Sequence, residues 1–170
     1  MIVLGIDPGY AIVGWGVINF NGTAYAPMGY GAITTPAGLE LESRLEQIYD
    51  QLDILINKAK PDAFSLERLY FQNNQKTAIN VAQARGVILL SAKKNSIPVY
   101  EYTPLQVKMA VTGYGQAKKP QIMEMTRRLL KLPEIPKPDD AADALAMAIT
   151  HTHAAGTRLK AMIYKRGHQQ

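Results

Sequence analysis

The chain has 170 residues, 47% hydrophobic and 19% charged, which suits one domain with a full core and excludes a disordered chain. It has no cysteine, which excludes disulfide frameworks and thiol chemistry; with no basic leader before the first apolar run and no stretch near the ~18 apolar residues of a membrane span, a soluble cytoplasmic protein is expected. The net charge is +5, and the cations gather in the C-terminal half, at Lys93-Lys94, Lys118-Lys119, Arg127-Arg128, Lys131, Arg158, Lys160, Lys165 and Arg166, a field that favours polyanions, nucleic acid foremost.

Ile2–Asp7 alternates Ile2, Leu4 and Ile6 against Val3, Gly5 and Asp7. Both faces are apolar or small, so the spacing predicts a central strand covered on both sides. Pro8-Gly9 is a turn, residues 12–18 return as a second strand, and Asn21-Gly22 turns into a third over Tyr25–Thr34. Leu41, Leu45, Ile48, Leu52, Leu55 and Ile56 recur at three- and four-residue steps, predicting an amphipathic helix over 39–58. After the Pro61-Asp62 break comes a fourth strand, Ala63–Glu67, and then a helix over 77–94. Its Gly86, with Ala82 and Ala84 nearby, would let another backbone approach. A fifth strand covers 97–102, Thr103 caps a short helix to about Val111, and a basic helix covers 120–130. The segment "KLPEIPKPDD" must be a loop, and an Ala-rich helix over 139–153 closes the pattern, with Asp139 placed as its N-cap.

A three-strand meander followed by alternating helices and strands predicts an α/β fold, a mixed five-stranded sheet with an antiparallel meander and two parallel strands, flanked by helices. This is the element order of the ribonuclease H-like fold. The domain is expected over 1–156, with 157–170 as a basic C-terminal tail.

Two carboxylates end apolar strands, Asp7 in "LGIDPG" and Glu67 in "DAFSLER". If the first and fourth strands pair in parallel, both emerge at one sheet edge and repel unless a cation sits between them. In "DDAADALAMAITH", Asp140 and Asp143 are three residues apart and share a helix face. Each acid alone has an ordinary alternative as a turn residue, a half-exposed acid or a cap. Three segments that each bring a carboxylate into an apolar setting point further. All-oxygen ligation without a Cys or His cluster favours Mg²⁺ or Mn²⁺ over zinc. Two such ions ~4 Å apart suit phosphodiester hydrolysis. His151 and His153 point to different helix faces and receive no catalytic role.

The runs "LGIDPGYAIVGWGVI", "LERLYFQNNQKTAINVAQARGV", "VYEYTPLQVKMAVTGYGQAKKPQI" and "DDAADALAMAITH" together resemble the RuvC-type Holliday junction resolvases along nearly the whole chain. The resemblance implies a metal-dependent endodeoxyribonuclease that nicks two strands of a four-way DNA junction symmetrically, in recombination and repair. It implies Asp7, Glu67, Asp140 and Asp143 as catalytic acids and metal ligands, with Mg²⁺ as cofactor, two ions per site, and Mn²⁺ as substitute. Asp139 is an extra acid beside the pair; the D-A-A-D spacing favours Asp140 as the ligand. Lys108 and Lys119 fall on basic positions near the scissile phosphate, with Lys118 beside them, although a solvated loop lysine is the plain alternative for Lys119. Tyr70 falls where the family stacks an aromatic on bases at the crossover, a contact of roughly 1–3 kcal/mol; a buried structural tyrosine is the competing account. A homodimer through helix 77–94 and a branch-migration helicase complex complete the implied partners.

Two other classes compete. The "LGIDPG" start resembles the first phosphate loop of actin-like sugar kinases, but the second phosphate motif is missing. A silent junction-binding protein is disfavoured by the presence of all four acids, and a related nuclease with another nucleic-acid substrate is separated only by the resemblance itself.

Overall fold

The computed structural model describes residues 1–68 and 75–167, with side chains of 75–77 and 157–167 left aside. Five strands, β1 (Ile2–Asp7), β2 (Ile12–Phe20), β3 (Tyr25–Thr34), β4 (Ala63–Glu67) and β5 (Val99–Tyr102), form one sheet in the order β3-β2-β1-β4-β5. β1, β2 and β3 pair antiparallel, while β4 pairs parallel to both β1 and β5. The helices are α1 (Leu41–Ala59), α2 (Gln75–Lys94), α3 (Pro104–Thr112), α4 (Lys119–Leu129) and α5 (Asp139–Gly167).

Strand alternation divides the interior into two cores. Leu4, Ile6, Val13, Val17, Phe64 and Leu66 pack with Ile48, Leu52 and Ile56 of α1 and with Ala84 and Ile88 of α2. Val3 and Ile18, on the other face, pack with Val107 of α3, Leu130 and the buried α5 residues Leu145, Met147 and Ile149. Both faces of β1 are therefore covered, as its two apolar faces require. Pro27 lies on β3, an edge strand, opposite Ile18 where the β2–β3 register shifts, a position that tolerates the missing N–H.

Element limits differ in three informative places. β5 begins at Val99 because Ser96 adopts a left-handed conformation (φ 57°) and Ile97 N–H donates to Ala92 O at 3.0 Å, so Ile97 still belongs to the α2 exit. Asp139 is the first residue of α5 rather than its N-cap; it and Asp140 place negative charge in the first turn, where the helix dipole favours it. The α5 backbone continues past His153 to Gly167, through a stretch rich in Arg, Leu, Lys, Ala and Met, all good helix formers. Among the described residues, no helix is long and apolar enough to cross a membrane.

Candidate active site

The site forms where the ends of β1 and β4 meet the first turns of α5. Gly5 pairs with Ser65 and Ile6 with Leu66, so Asp7 and Glu67 are the next residues outward on adjacent strands. By strand alternation both lie on the face covered by α5. That helix descends onto the sheet because side chains are missing beneath it. A Cβ on Gly5 would stand 1.9 Å from Ala144 O, and one on Gly14 would stand 2.0 Å from Asp140 O. Gly14 is the β2 partner of Asp7, so this close approach sets Asp140 beside the Asp7 position. Ser65 Oγ donates to Met147 O at 2.6 Å, tying β4 to α5 one helical turn beyond Asp143.

Asp7, Glu67 and Asp143 line one cavity of about 480 Å³, and Lys108, Lys118 and Lys119 line it with them. α3 presents Lys108 from a helix fixed at both ends. Thr103 and Gln106 form a reciprocal capping box at its start, and Gly113 closes it in the left-handed region at φ 71°.

Burial, then the charges of Asp143, Glu67 and Asp140, push the Asp7 carboxyl up from 3.8 to about 7, with Lys119 opposing them. Burial and then Asp143 raise Glu67 as well. Lys119 Nζ lies 2.9 Å from Asp143 Oδ2 and 3.6 Å from Asp139 Oδ2. The hydrogen bond to Asp143, followed by the charges of Asp143, Asp139 and Asp7, holds its ammonium above the usual lysine range against some desolvation. Negative charge is thus concentrated beyond what this one cation balances.

Among the described residues, no three acidic or histidine groups stand in metal-ligating geometry, Lys119 being the counter-ion at Asp143. The donor set itself fits a hard divalent cation, since every acid offers oxygen and Asp7 stays raised even with Lys119 beside the cluster.

Of the residues singled out in the sequence, Asp7, Glu67, Asp143, Lys108, Lys118 and Lys119 share the cavity. Asp140 does not line it but acts on Asp7 through its charge. Tyr70 lies outside the described residues. His151 is buried, with Nδ1 2.8 Å from Tyr102 Oη and its ring 4.3 Å from that of Tyr100, in the core rather than the cavity. Two neighbours of the site escaped sequence reasoning. Gln116 lines the cavity from the turn after Gly113, where the glycine-rich "GYGQ" was the available signal. Arg85 on α2 donates from Nη1 to the carbonyl of Glu67 at 3.1 Å, and nothing in its local sequence announces that reach.

Residues 3–151 match the family Crossover junction endodeoxyribonuclease RuvC. The chain belongs to the RuvC family. It is 52% identical over 159 residues to the crossover junction endodeoxyribonuclease RuvC of Fusobacterium nucleatum, covering 94% of this chain and 84% of that one. Identity to the Brevibacillus brevis RuvC is 56% over 151 residues, 89% of this chain and 91% of that one. T. thermophilus RuvC, solved in complex with a Holliday junction substrate, matches with a TM-score of 0.88 at 34% identity, over 92% of this chain and 96% of that chain. The yeast mitochondrial Holliday junction resolvase Ydc2 matches with a TM-score of 0.64 at 15% identity, over 96% of this chain and 83% of that chain, which shows a common fold. The mixed sheet is therefore the expected ribonuclease H-like arrangement, and membership in a nuclease family sets aside the sugar-kinase reading.

Proposed function

We propose that this chain resolves four-way DNA junctions by nicking two strands symmetrically, in recombination and repair within the cytoplasm, with Asp7, Glu67, Asp140 and Asp143 as the acids that hold Mg²⁺. The observation that carries this reading is the convergence of Asp7, Glu67 and Asp143 on one cavity flanked by Lys108, Lys118 and Lys119, where burial and neighbouring acids push the Asp7 carboxyl up. A half-buried carboxylate under that pressure is the arrangement a divalent cation relieves. When bound, two Mg²⁺ ions, or Mn²⁺ in their place, supply Lewis acidity at the attacking water and the leaving oxygen of the phosphodiester.

The chain's own groups do the rest. Lys119, paired with Asp143 at 2.9 Å, releases that carboxylate and turns to the DNA phosphate, so an ammonium that first balanced the acids ends beside the substrate. Lys108 and Lys118 hold the backbone on either side of the cavity. Tyr70 stacks on a base at the crossover. A homodimer supplies two such sites for two strands. The outward face of α2 is its contact, where Ile79 (62% exposed) and Leu90 (53%) flank Gly86, which has no neighbour among the described residues within 4 Å of a Cβ position. A branch-migration helicase complex is the expected partner on the junction.

The test is a substrate panel of a synthetic mobile four-way junction, plain duplex, single strand and an RNA–DNA hybrid, each with Mg²⁺. The proposal predicts paired symmetric nicks in the junction alone. Preferential cleavage of the hybrid or the single strand would assign this site to a different nuclease class.

A further inference from the structure

We infer that Arg85 is a positioning residue for Glu67, replacing a backbone donor that Pro8 removes from the sheet. The peptide group that links Glu67 to Arg68 sits between β5 and β1. Its N–H, on Arg68, donates to Tyr102 O of β5 at 2.8 Å. Its carbonyl therefore points the opposite way, toward β1. With Ile6 beside Leu66 in a parallel register, the ladder would offer this carbonyl the N–H of residue 8. Residue 8 is proline and has no N–H. The turn that follows Asp7 thus deprives Glu67 of its ladder partner.

Arg85 supplies the missing donor. Its Nη1 donates to Glu67 O at 3.1 Å, while its Nη2 is hydrogen-bonded to the Glu101 carboxylate of β5. The side chain is only 10% exposed, and Glu101 also faces Arg68 Nε at 3.8 Å. Both polar ends of the peptide after Glu67 are consequently held, one by β5 and one by α2. Fixing that plane fixes the backbone from which the Glu67 carboxylate projects. Arg85 touches no reacting atom; it acts through Glu67, and the inference rests on the reading of Glu67 as a metal-binding acid. Partners that orient a ligating group in this way typically change metal affinity or activity by ~10–100-fold when removed.

The decisive comparison is between Arg85→Met and Glu101→Gln. Arg85→Met fills similar space and removes the donor to Glu67. Glu101→Gln weakens the ion pair that steadies Arg85 but leaves the Arg85–Glu67 bond in place. Each variant is measured for melting temperature, for Mn²⁺ affinity without DNA by electron paramagnetic resonance, and for single-turnover junction cleavage against Mg²⁺ concentration. Arg85→Met is expected to weaken Mn²⁺ binding and slow cleavage by ~10–100-fold, while junction binding stays intact. Glu101→Gln is expected to retain both activities at assay temperature even where it lowers the melting temperature. Arg85→Lys keeps a donor and should recover part of the loss. Native Mn²⁺ affinity and cleavage in Arg85→Met would overturn the inference, as would losses that follow melting temperature alone across all three variants. Glu67→Gln in the same assays separates the two ideas. If it cleaves like wild type, the reading of Glu67 fails; if it is inactive while Arg85→Met is normal, only the positioning role fails.

Discussion

Ionising Asp7 adds a charge to a half-buried cluster that already contains Glu67, Asp140 and Asp143, and this has a consequence for stability that can be signed. The group's ordinary value is 3.8 and its folded value about 7. Between those pH values the folded chain keeps a proton that the unfolded chain releases, so raising the pH through this window removes stability from the fold. The cost, allowing for partial solvation and relaxation of neighbouring acids, is on the order of 2 kcal/mol at full ionisation. Asp7→Asn should therefore raise the melting temperature by several degrees in chelator at pH 8 and change it little at pH 4. Saturating Mg²⁺ should narrow the gap at pH 8. A thermal scan at the two pH values checks this, and equal differences at both would mean that Asp7 is not under electrostatic strain. At this scale much of the site was legible. Strand parity, given a parallel pairing of the first and fourth strands, puts Asp7 and Glu67 on one face, and a spacing of three puts Asp140 and Asp143 on one side of a helix. Lys119 was legible as a basic group but not as the partner of Asp143, because that pairing depends on how α4 packs against α5.

Among the elements, α5 and α2 carry the architecture of the site in different ways. α5 lies on bare backbone at Gly5 and Gly14, where any Cβ would meet its carbonyls within about 2 Å, and this contact fixes the distance between helix acids and strand acids. The alanines of α5 announced that closeness in the sequence; the glycines beneath them did so only once the register was known. α2 turns Ala84 and Arg85 inward and Gly86 outward, so the small residues that looked like one surface divide between a core and a free face. Substituting Gly86 by Arg, on that free face, should convert dimers to monomers in sedimentation velocity while leaving the stability of the protomer within about 0.5 kcal/mol of wild type, as for surface substitutions generally. An unchanged dimer would remove α2 from the interface. The reach of Arg85 was not legible, because the need for it arises from a proline just past one strand, a carbonyl at the end of its neighbour and a helical residue nearly twenty positions away.

Over the whole molecule, a basic surface and an acidic centre divide the work of one substrate. The net charge of +5 favours a polyanion, yet the cavity that would receive the scissile phosphate is lined by Asp7, Glu67 and Asp143 as well as by Lys108, Lys118 and Lys119. Binding and chemistry should accordingly be separable. The element order predicted the sheet because each strand and helix has its own period. The limits at Val99 and Gly167 were less legible, since the first depends on a left-handed Ser96 and the second on a stretch that carries no motif to mark its end. The most direct measurement is junction binding and junction cleavage by wild type and Asp7→Asn, side by side with Mg²⁺. The account predicts equal binding by both proteins and paired nicks from wild type only. Loss of binding together with cleavage would make Asp7 a structural acid, and undiminished cleavage by the variant would remove it from the reaction.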